Sequence, residues 1–328
     1  MDHIAELANV SKATVSRALR NSPLVNEATK SIVLEAARNS GYVVNKNARK
    51  LRDKRTNTIA IALDFPSYPG QRVADPFVFE LLSDIVNSLA VREKDVILCS
   101  PNASDAFAYQ QLLAAKSADG IIFLGQGDRE DVLNELAGRR APVVVWGGVV
   151  DDAPYCTVGS DNRHGGYLAG SRLADLGCTN VLYMGNHRHL ESRLRREGFE
   201  AGLKDANGRG TVSELIVKEF VYETCLPAAQ RFLSDPENRP DGVFAVSDIA
   251  AIAFAAALRE IGLAAGKDVP IVGYNDIPSA AFFSPAITTV RQDTLQAGAL
   301  LVEKLMQILE GLAPKSVMLP TNLIVRET

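Results

Sequence analysis

The sequence predicts an α/β protein in which a small unit of three short helices precedes two doubly wound parallel sheets. Three observations carry that expectation. Short apolar runs between residues 58 and 148 alternate with amphipathic stretches. A second series of the same kind follows from residue 180. Ahead of both lies a polar N-terminal segment whose apolar residues recur at helical spacing.

The N-terminal elements come first. In "HIAELANVSKATVSRAL", Ile4, Leu7 and Ala8 form one apolar face, and Val15, Ala18 and Leu19 repeat that spacing after Asn9. Asn tolerates the left-handed conformation, so Asn9 suits a sharp turn between two helices. Ser11 stands as N-cap of the second helix. With Val15 and Leu19 turned inward, Lys12, Ala13, Ser16 and Arg17 point outward together. Asn26 caps a third helix, Glu27 suits its N-terminal dipole, Val33, Ala36 and Ala37 face inward, and Gly41 ends it.

Charge sets this segment apart. Residues 1–55 hold 11 Lys and Arg against 5 Asp and Glu, a net of +6, whereas the remainder holds 24 against 34 and the whole chain is at −4. A basic arm on an acidic body points to a polyanion partner for the arm alone. Three short helices with a basic outer face read as a helix-turn-helix unit, whose second helix enters the major groove of DNA. Helix pattern by itself leaves open a three-helix cap with a merely basic surface.

From Thr58 the chain changes character. "TIAIALD", "DVILCS", "DGIIFLG" and "PVVVWGG" are runs of the buried parallel-strand type, with helices expected at about 77–91, 104–116 and 128–139. "NVLYMGN", "LIVKEF", "GVFAVSD" and "VPIVGYND" begin the second sheet. "RDKRTN" (52–57) is the linker. In such folds a ligand binds at the carboxyl ends of the strands, here where the two lobes face each other. The cysteines (Cys99, Cys156, Cys178 and Cys225) are widely spaced and read as reduced thiols. No apolar run reaches the roughly 18 residues needed to span a bilayer and no signal peptide is visible, so a cytoplasmic protein is expected. "GQGD" lacks the third Gly of a dinucleotide fingerprint, and no P-loop or G-x-S-x-G elbow is present. His187 and His189 flank Arg188 without a third ligand, so no metal is expected.

"VSKATVSRAL", followed by "SGY" and "NARKL", resembles the LacI/GalR family of bacterial transcription regulators. The resemblance implies base-reading positions at Lys12, Ala13 and Arg17 and phosphate-holding hydroxyls at Ser11, Thr14 and Ser16. It also implies a hinge helix at about 45–52, whose Leu51 wedges between central base pairs in the minor groove while Arg49, Lys50 and Arg52 around it neutralise phosphate. Asn9 stands where the family has a turn Gly, Val44 where it has Pro, and Arg20 where Asn is common. The Thr that caps the family's first helix is missing, so a natural start slightly upstream is expected.

"DNRHGGYLAG", "RLRREGF", "VGYNDIP" and "FFSPAITTVRQD" resemble the family's periplasmic-binding-protein-like core. On that resemblance the DNA-binding domain spans 1–56 and the effector-binding and dimerisation domain spans 57–328. The first lobe takes about 57–159 and 290–319, and the second about 160–289 and 320–328. Chain crossings fall near Ser160, Thr289 and Pro320. The implied effector pocket holds Asp161, Arg195, Ser247 and Asn275 as polar groups, with Trp146, Phe220 and Phe77 as aromatics. Asp161 serves equally as a helix cap, and Phe77 equally as core.

The expected protein is a repressor, a homodimer on pseudo-palindromic operator DNA, answering to a small effector. It is expected to need no cofactor and to catalyse nothing. A carbohydrate is the expected effector and a purine the alternative. A solute-binding protein and a sugar-acting enzyme using Asp161 with Asp248 are the competing classes.

Overall fold

Side-chain caps fix the second and third N-terminal helices. The computed structural model describes residues 1–19, 21–42, 55–63, 75–99, 105–127, 129–207 and 210–328. Helix α1 (Asp2–Leu7) ends in a turn where Asn9 adopts φ 48°, and α2 (Lys12–Ala18) starts at Ser11, whose side chain accepts from the Thr14 N–H. Helix α3 (Glu27–Asn39) starts at Asn26, whose side chain accepts from the Thr29 N–H. Ile4, Ala8, Val15, Ala18, Val25, Val33 and Ala37 form their shared core. The four larger aliphatics contribute roughly 1.5–3 kcal/mol each, enough to hold a small unit only marginally.

The chain divides into two units, Met1–Thr56 and Asn57–Thr328. The second unit contains two six-stranded sheets. In the first sheet the order is β11-β5-β4-β3-β1-β2, built from β1 (Thr58–Leu63), β2 (Asp95–Leu98), β3 (Gly120–Leu124), β4 (Val143–Trp146), β5 (Cys156–Ser160) and β11 (Val317–Leu319). The second runs β12-β10-β9-β8-β6-β7, from β6 (Asn180–Gly185), β7 (Thr211–Ile216), β8 (Gly242–Ala245), β9 (Ile271–Asn275), β10 (Thr288–Arg291) and β12 (Asn322–Ile324). Helices α4 (Pro76–Ala90), α5 (Ala106–Ala114), α6 (Glu130–Gly138) and α12 (Thr294–Leu309) belong to the first lobe. The second lobe has α7 (Asn162–Asp175), α8 (Leu190–Asn207), α9 (Tyr222–Leu233), α10 (Asp248–Glu260) and the short α11 (Pro278–Phe282). β1, β3 and β4 are buried along their whole length, which is why they read as unbroken apolar runs.

Four expectations need correction. β2 is an edge strand with exposed ends, so its apolar run lies over one face only. The strand expected in "LIVKEF" runs earlier, over Thr211–Ile216, paired in register with Asn180–Gly185; only Val217 of the remainder is buried. β12 pairs antiparallel to β10, so the second sheet is not wholly parallel. The crossing placed near Thr289 falls after Arg291, because β10 pairs with β9 through Arg291 and Asn275. Thr288–Arg291 therefore belongs to the second lobe.

Candidate functional site

Helix α2 turns one face outward because the opposite face is packed. Val15 and Ala18 are buried, so Lys12, Ala13 and Arg17 stand exposed, with Thr14 and Ser16 half-buried beside them. The Ser11 hydroxyl lies 2.9 Å from that of Thr14, so both belong to the helix cap and each keeps acceptor capacity for a further donor or bridging water. Arg17 makes no ion pair among the described residues, whereas the Lys12 ammonium is paired with the Asp2 carboxylate of α1. Arg49, Lys50 and Leu51 lie outside the described residues.

The other candidates gather at the carboxyl ends of the strands in the second unit. Trp146 ends β4 and Phe77 opens α4; their ring centroids lie 5.9 Å apart and tilted by 43°. Both rings are buried, and Phe77 packs with the lobe's main core. Asp75 caps α4 through the Phe77 N–H at 3.0 Å. Desolvation pushes the Asp75 carboxyl above its usual range, opposed by that N–H and by the Arg195 guanidinium facing it from the other lobe. Gly148, just past β4, meets Leu190 at the start of α8 so closely that an added Cβ would lie 2.7 Å from a Leu190 methyl. The lobes touch there.

Arg195 is the most constrained of the polar candidates. Its Nε donates to Asn162 Oδ1 at 2.8 Å and one terminal nitrogen donates to the Val246 carbonyl at 2.7 Å. The guanidinium lies over the Tyr274 ring, 3.7 Å from its centroid. Glycines bring Arg195 there. A Cβ on Gly166 of α7 would lie 1.9 Å from the Arg195 carbonyl oxygen, and one on Gly198 of α8 would lie 1.8 Å from that of Arg163. No other residue allows the two backbones so near, and this contact is what "DNRHGGYLAG" and "RLRREGF" encode.

The remaining candidates are held by local bonds. Asp161 caps α7, accepting from the His164 N–H at 2.9 Å. Ser247 caps α10, accepting from the Ala250 N–H at 3.2 Å, and is buried. Asn275 ends β9 at φ 110°, its Oδ1 accepting from Gln292 Nε2 at 2.7 Å. Phe220, half-buried between β7 and α9, packs against two cores and makes no ring contact with Trp146 or Phe77. The structure thus gathers Arg195, Ser247 and Asn275 in the second lobe and Trp146 with Phe77 in the first.

Sequence reasoning missed several residues here. Asn162 and Tyr274 fix the Arg195 guanidinium, and both adjoin residues already singled out. Ser160 Oγ and Asn186 Nδ2, at the carboxyl ends of β5 and β6, are buried without hydrogen-bond partners among the described residues. Asp248 is fully buried, accepting from the Thr289 hydroxyl and, at 2.8 Å, from the Ile277 N–H. Burial, opposed by those bonds, pushes it up to about 7. His187 binds Glu214 at 2.9 Å, and no group of three metal-ligating side chains occurs among the described residues. No described helix is long and apolar enough to cross a membrane.

Comparison with known proteins follows the same division. Residues 1–45 match the family described as bacterial regulatory proteins, lacI family, and residues 171–328 match the periplasmic binding protein-like domain. The HTH-type transcriptional repressor PurR of Edwardsiella ictaluri is 30% identical over 310 residues, covering 92% of this chain and 88% of the relative. The HTH-type transcriptional regulator CelR of Thermobifida fusca is 29% identical over 338 residues, covering 100% and 97%. Among solved structures, a CelR–cellobiose complex matches with TM-score 0.70 and 28% identity over 99% of this chain and 98% of its own. A lac repressor dimer bound to operator and the anti-inducer ONPF shares the fold at TM-score 0.83, 24% identity and 99% and 97% coverage.

Proposed function

The chain belongs to the lacI family of bacterial regulatory proteins, and from that premise we propose a transcriptional repressor whose hold on operator DNA is set by a small carbohydrate in the cleft. One observation carries the DNA-binding half. Helix α2 is pinned from behind by Val15 and Ala18 and offers Ala13, Ser16 and Arg17 on its other side. Small residues beside an arginine let a helix sit close to base edges, where the guanidinium reaches a guanine. Ser11, Thr14 and Ser16 are assigned to phosphates, and Arg49, Lys50 and Leu51 to the minor groove at the operator centre.

Chemistry of the cleft supports the effector class. A pyranose has apolar C–H faces that suit the Trp146 and Phe77 rings, and hydroxyls that suit Arg195, Asn275, Ser247 and the unpartnered Ser160 Oγ and Asn186 Nδ2. Asp161 and Phe220 complete the proposed set. The CelR–cellobiose complex is a relative with a sugar in its title. A purine is the second reading, since the aromatic pair stacks on it equally well. The two carboxylates an enzyme would need are otherwise engaged: Asp161 in a helix cap and Asp248 beneath the strand ends. That favours a sensor over an enzyme.

Effector occupancy biases the angle between lobes, and through residues 43–54 the spacing of two DNA-reading units in a homodimer. Exposed Phe79 and Val86 on α4 and Phe282 at the end of α11 support the dimer, as large apolar side chains that a second copy would cover. Operator DNA places its work in the cytoplasm. A thermal-shift screen over sugars, sugar phosphates and purines, followed by DNA binding with and without the best ligand, tests the whole reading. A chain beginning at Asn57 is expected to keep the ligand and lose the DNA. Retention of DNA binding by that truncated chain would overturn the assignment.

A further inference from the structure

The stretch "GQGD" lacks a dinucleotide fingerprint, and the structure gives it another task. Gly125 and Gly127 take φ 91° and 48°, and between them the Gln126 side chain turns inward and is buried. Its amide grips the backbone of Gly148, donating to the carbonyl at 3.2 Å and accepting from the N–H at 3.0 Å. Gly147 leaves the room for this, since a Cβ there would lie 2.7 Å from the Gln126 side chain. The backbone at 147–148 is thereby fixed, directly after Trp146 ends β4. On the second lobe the start of α8 is fixed as well. Asn186 Oδ1 accepts from the Arg188 and His189 N–H groups, both at 3.2 Å, and the buried Tyr183 hydroxyl donates to the Ser192 carbonyl at 2.7 Å. Leu190, between those anchors, is the residue that meets Gly148, and Arg195 follows on the same helix.

We propose that the contact between Gly148 and Leu190 is the spacer that sets the width of the effector cleft. The proposal rests on the effector-binding reading and deepens it. Trp146 belongs to one clamped piece and Arg195 to the other, so the thickness of this contact limits how near the two groups come. With glycine at 148 the Leu190 side chain sits directly on backbone. One added methyl would lie 2.7 Å from a Leu190 methyl and 2.8 Å from its Cγ, so turning the terminal methyls alone does not relieve the overlap. The pieces must then stand further apart. An effector held by both loses on one side, because a gap of roughly 0.5–1 Å already forfeits a quarter to a half of a van der Waals contact. Hydrogen bonds lengthened by as much weaken too.

The test uses the full chain and its Gly148→Ala, Gly147→Ala and Leu190→Ala variants, with each glycine change also made in the Leu190→Ala background. The probes are cellobiose, glucose, ribose, glucose 6-phosphate, adenine and guanine, and calorimetry follows the one that wild type binds most tightly. Gly148→Ala is expected to weaken that probe about five- to twentyfold, as overpacking between the lobes. In the Leu190→Ala background the same change should cost about twofold or less, because the methyl then has room. Gly147→Ala presses on Gln126 within its own lobe, so its loss should be equal in the two backgrounds. A role confined to folding would appear in urea unfolding, and would not make the loss at position 148 depend on Leu190. The proposal is overturned if Gly148→Ala binds the probe as wild type does, or if its loss is undiminished beside Leu190→Ala. A wild-type chain that binds none of the probes overturns the effector reading instead, and this proposal with it.

Discussion

The Arg195 guanidinium lies over the Tyr274 ring, 3.7 Å from its centroid, while its Nε and one terminal nitrogen are bound to Asn162 and Val246. A cation fixed on three sides reaches a ligand with little further loss of freedom. Arg195→Ala is therefore expected to weaken effector binding on the order of 1–3 kcal/mol, several-fold to more than a hundredfold. Arg195→Lys should recover only part, because an ammonium has neither the plane to stack nor the fork to bind Asn162 and Val246 together. Calorimetry with the best ligand from the screen measures both. DNA binding without effector should be unchanged, and unaltered ligand affinity would remove Arg195 from the pocket.

Gly198 makes the next case. Its Cα faces the Arg163 carbonyl so closely that a Cβ would sit 1.8 Å from the oxygen. Gly198→Ala must push α8 away from α7, at a cost of roughly 1–3 kcal/mol or more for overpacking. The shift also carries Arg195, three residues earlier on α8, so effector affinity should fall as well. Gly138, at the end of α6, has open space where its Cβ would be, so Gly138→Ala should be neutral or slightly stabilising. Denaturant unfolding of both variants beside wild type decides; equal stability of the two would contradict the packing argument.

These two residues also mark where the sequence stopped being legible. The turn at Asn9 and the caps at Ser11 and Asn26 were readable because each depends on neighbours within four residues. The strand runs were readable because burial on both faces leaves an unbroken apolar stretch. By contrast, the glycines of α7 and α8 look in sequence like weak helix formers, and only the opposing helix explains them. β7 was misplaced because an edge strand is buried less and keeps no clear pattern. Asn162, Val246 and Tyr274 surround Arg195 from as far as 79 residues away, and no local spacing announces such a meeting.

Phe282 is 86% exposed at the end of α11, beside an apolar hollow lined by Ala255, Leu263, Ala265, Phe283 and Pro285. A large aromatic in water next to such a surface fits a contact with a second copy. Phe282→Glu should therefore shift the protein from dimer to monomer at micromolar concentration without lowering the melting point of the monomer. Sedimentation velocity reads the outcome directly. A dimer unaffected by the charge would place the interface elsewhere.

Arg17 is exposed on α2 without an ion-pair partner among the described residues. If it reads a base edge, Arg17→Ala should cost about 1–3 kcal/mol on the duplex that wild type enriches from a randomised pool and relax the base preference there. The loss on a random duplex should be smaller. Fluorescence anisotropy on both duplexes separates the cases, and an equal loss on both would reassign Arg17 to phosphate.

Asp248 supplies a prediction in pH. Its carboxyl is fully buried, accepts from the Thr289 hydroxyl and the Ile277 N–H, and is pushed by burial from an ordinary 3.8 up to about 7. The folded chain therefore binds this proton more tightly than the unfolded chain does. Its contribution to stability is fully present below pH about 4 and is lost as the pH rises to about 7, above which it stays constant. At about 1.4 kcal/mol per unit, the change amounts to a few kcal/mol. Asp248→Asn keeps an oxygen for the Ile277 N–H and an amide that can donate to Thr289, but cannot ionise. Wild type should lose stability between pH 5 and 7.5 relative to Asp248→Asn, with the two curves running parallel above that range. The loop that follows Asn275 at the end of β9 hangs from the same carboxylate through Ile277, so effector affinity should follow the same titration in wild type and not in the variant. Urea unfolding at a series of pH values, with calorimetry at the two ends, measures both. A difference curve flat across the whole range would mean that Asp248 keeps one protonation state in the folded protein and in the unfolded chain alike.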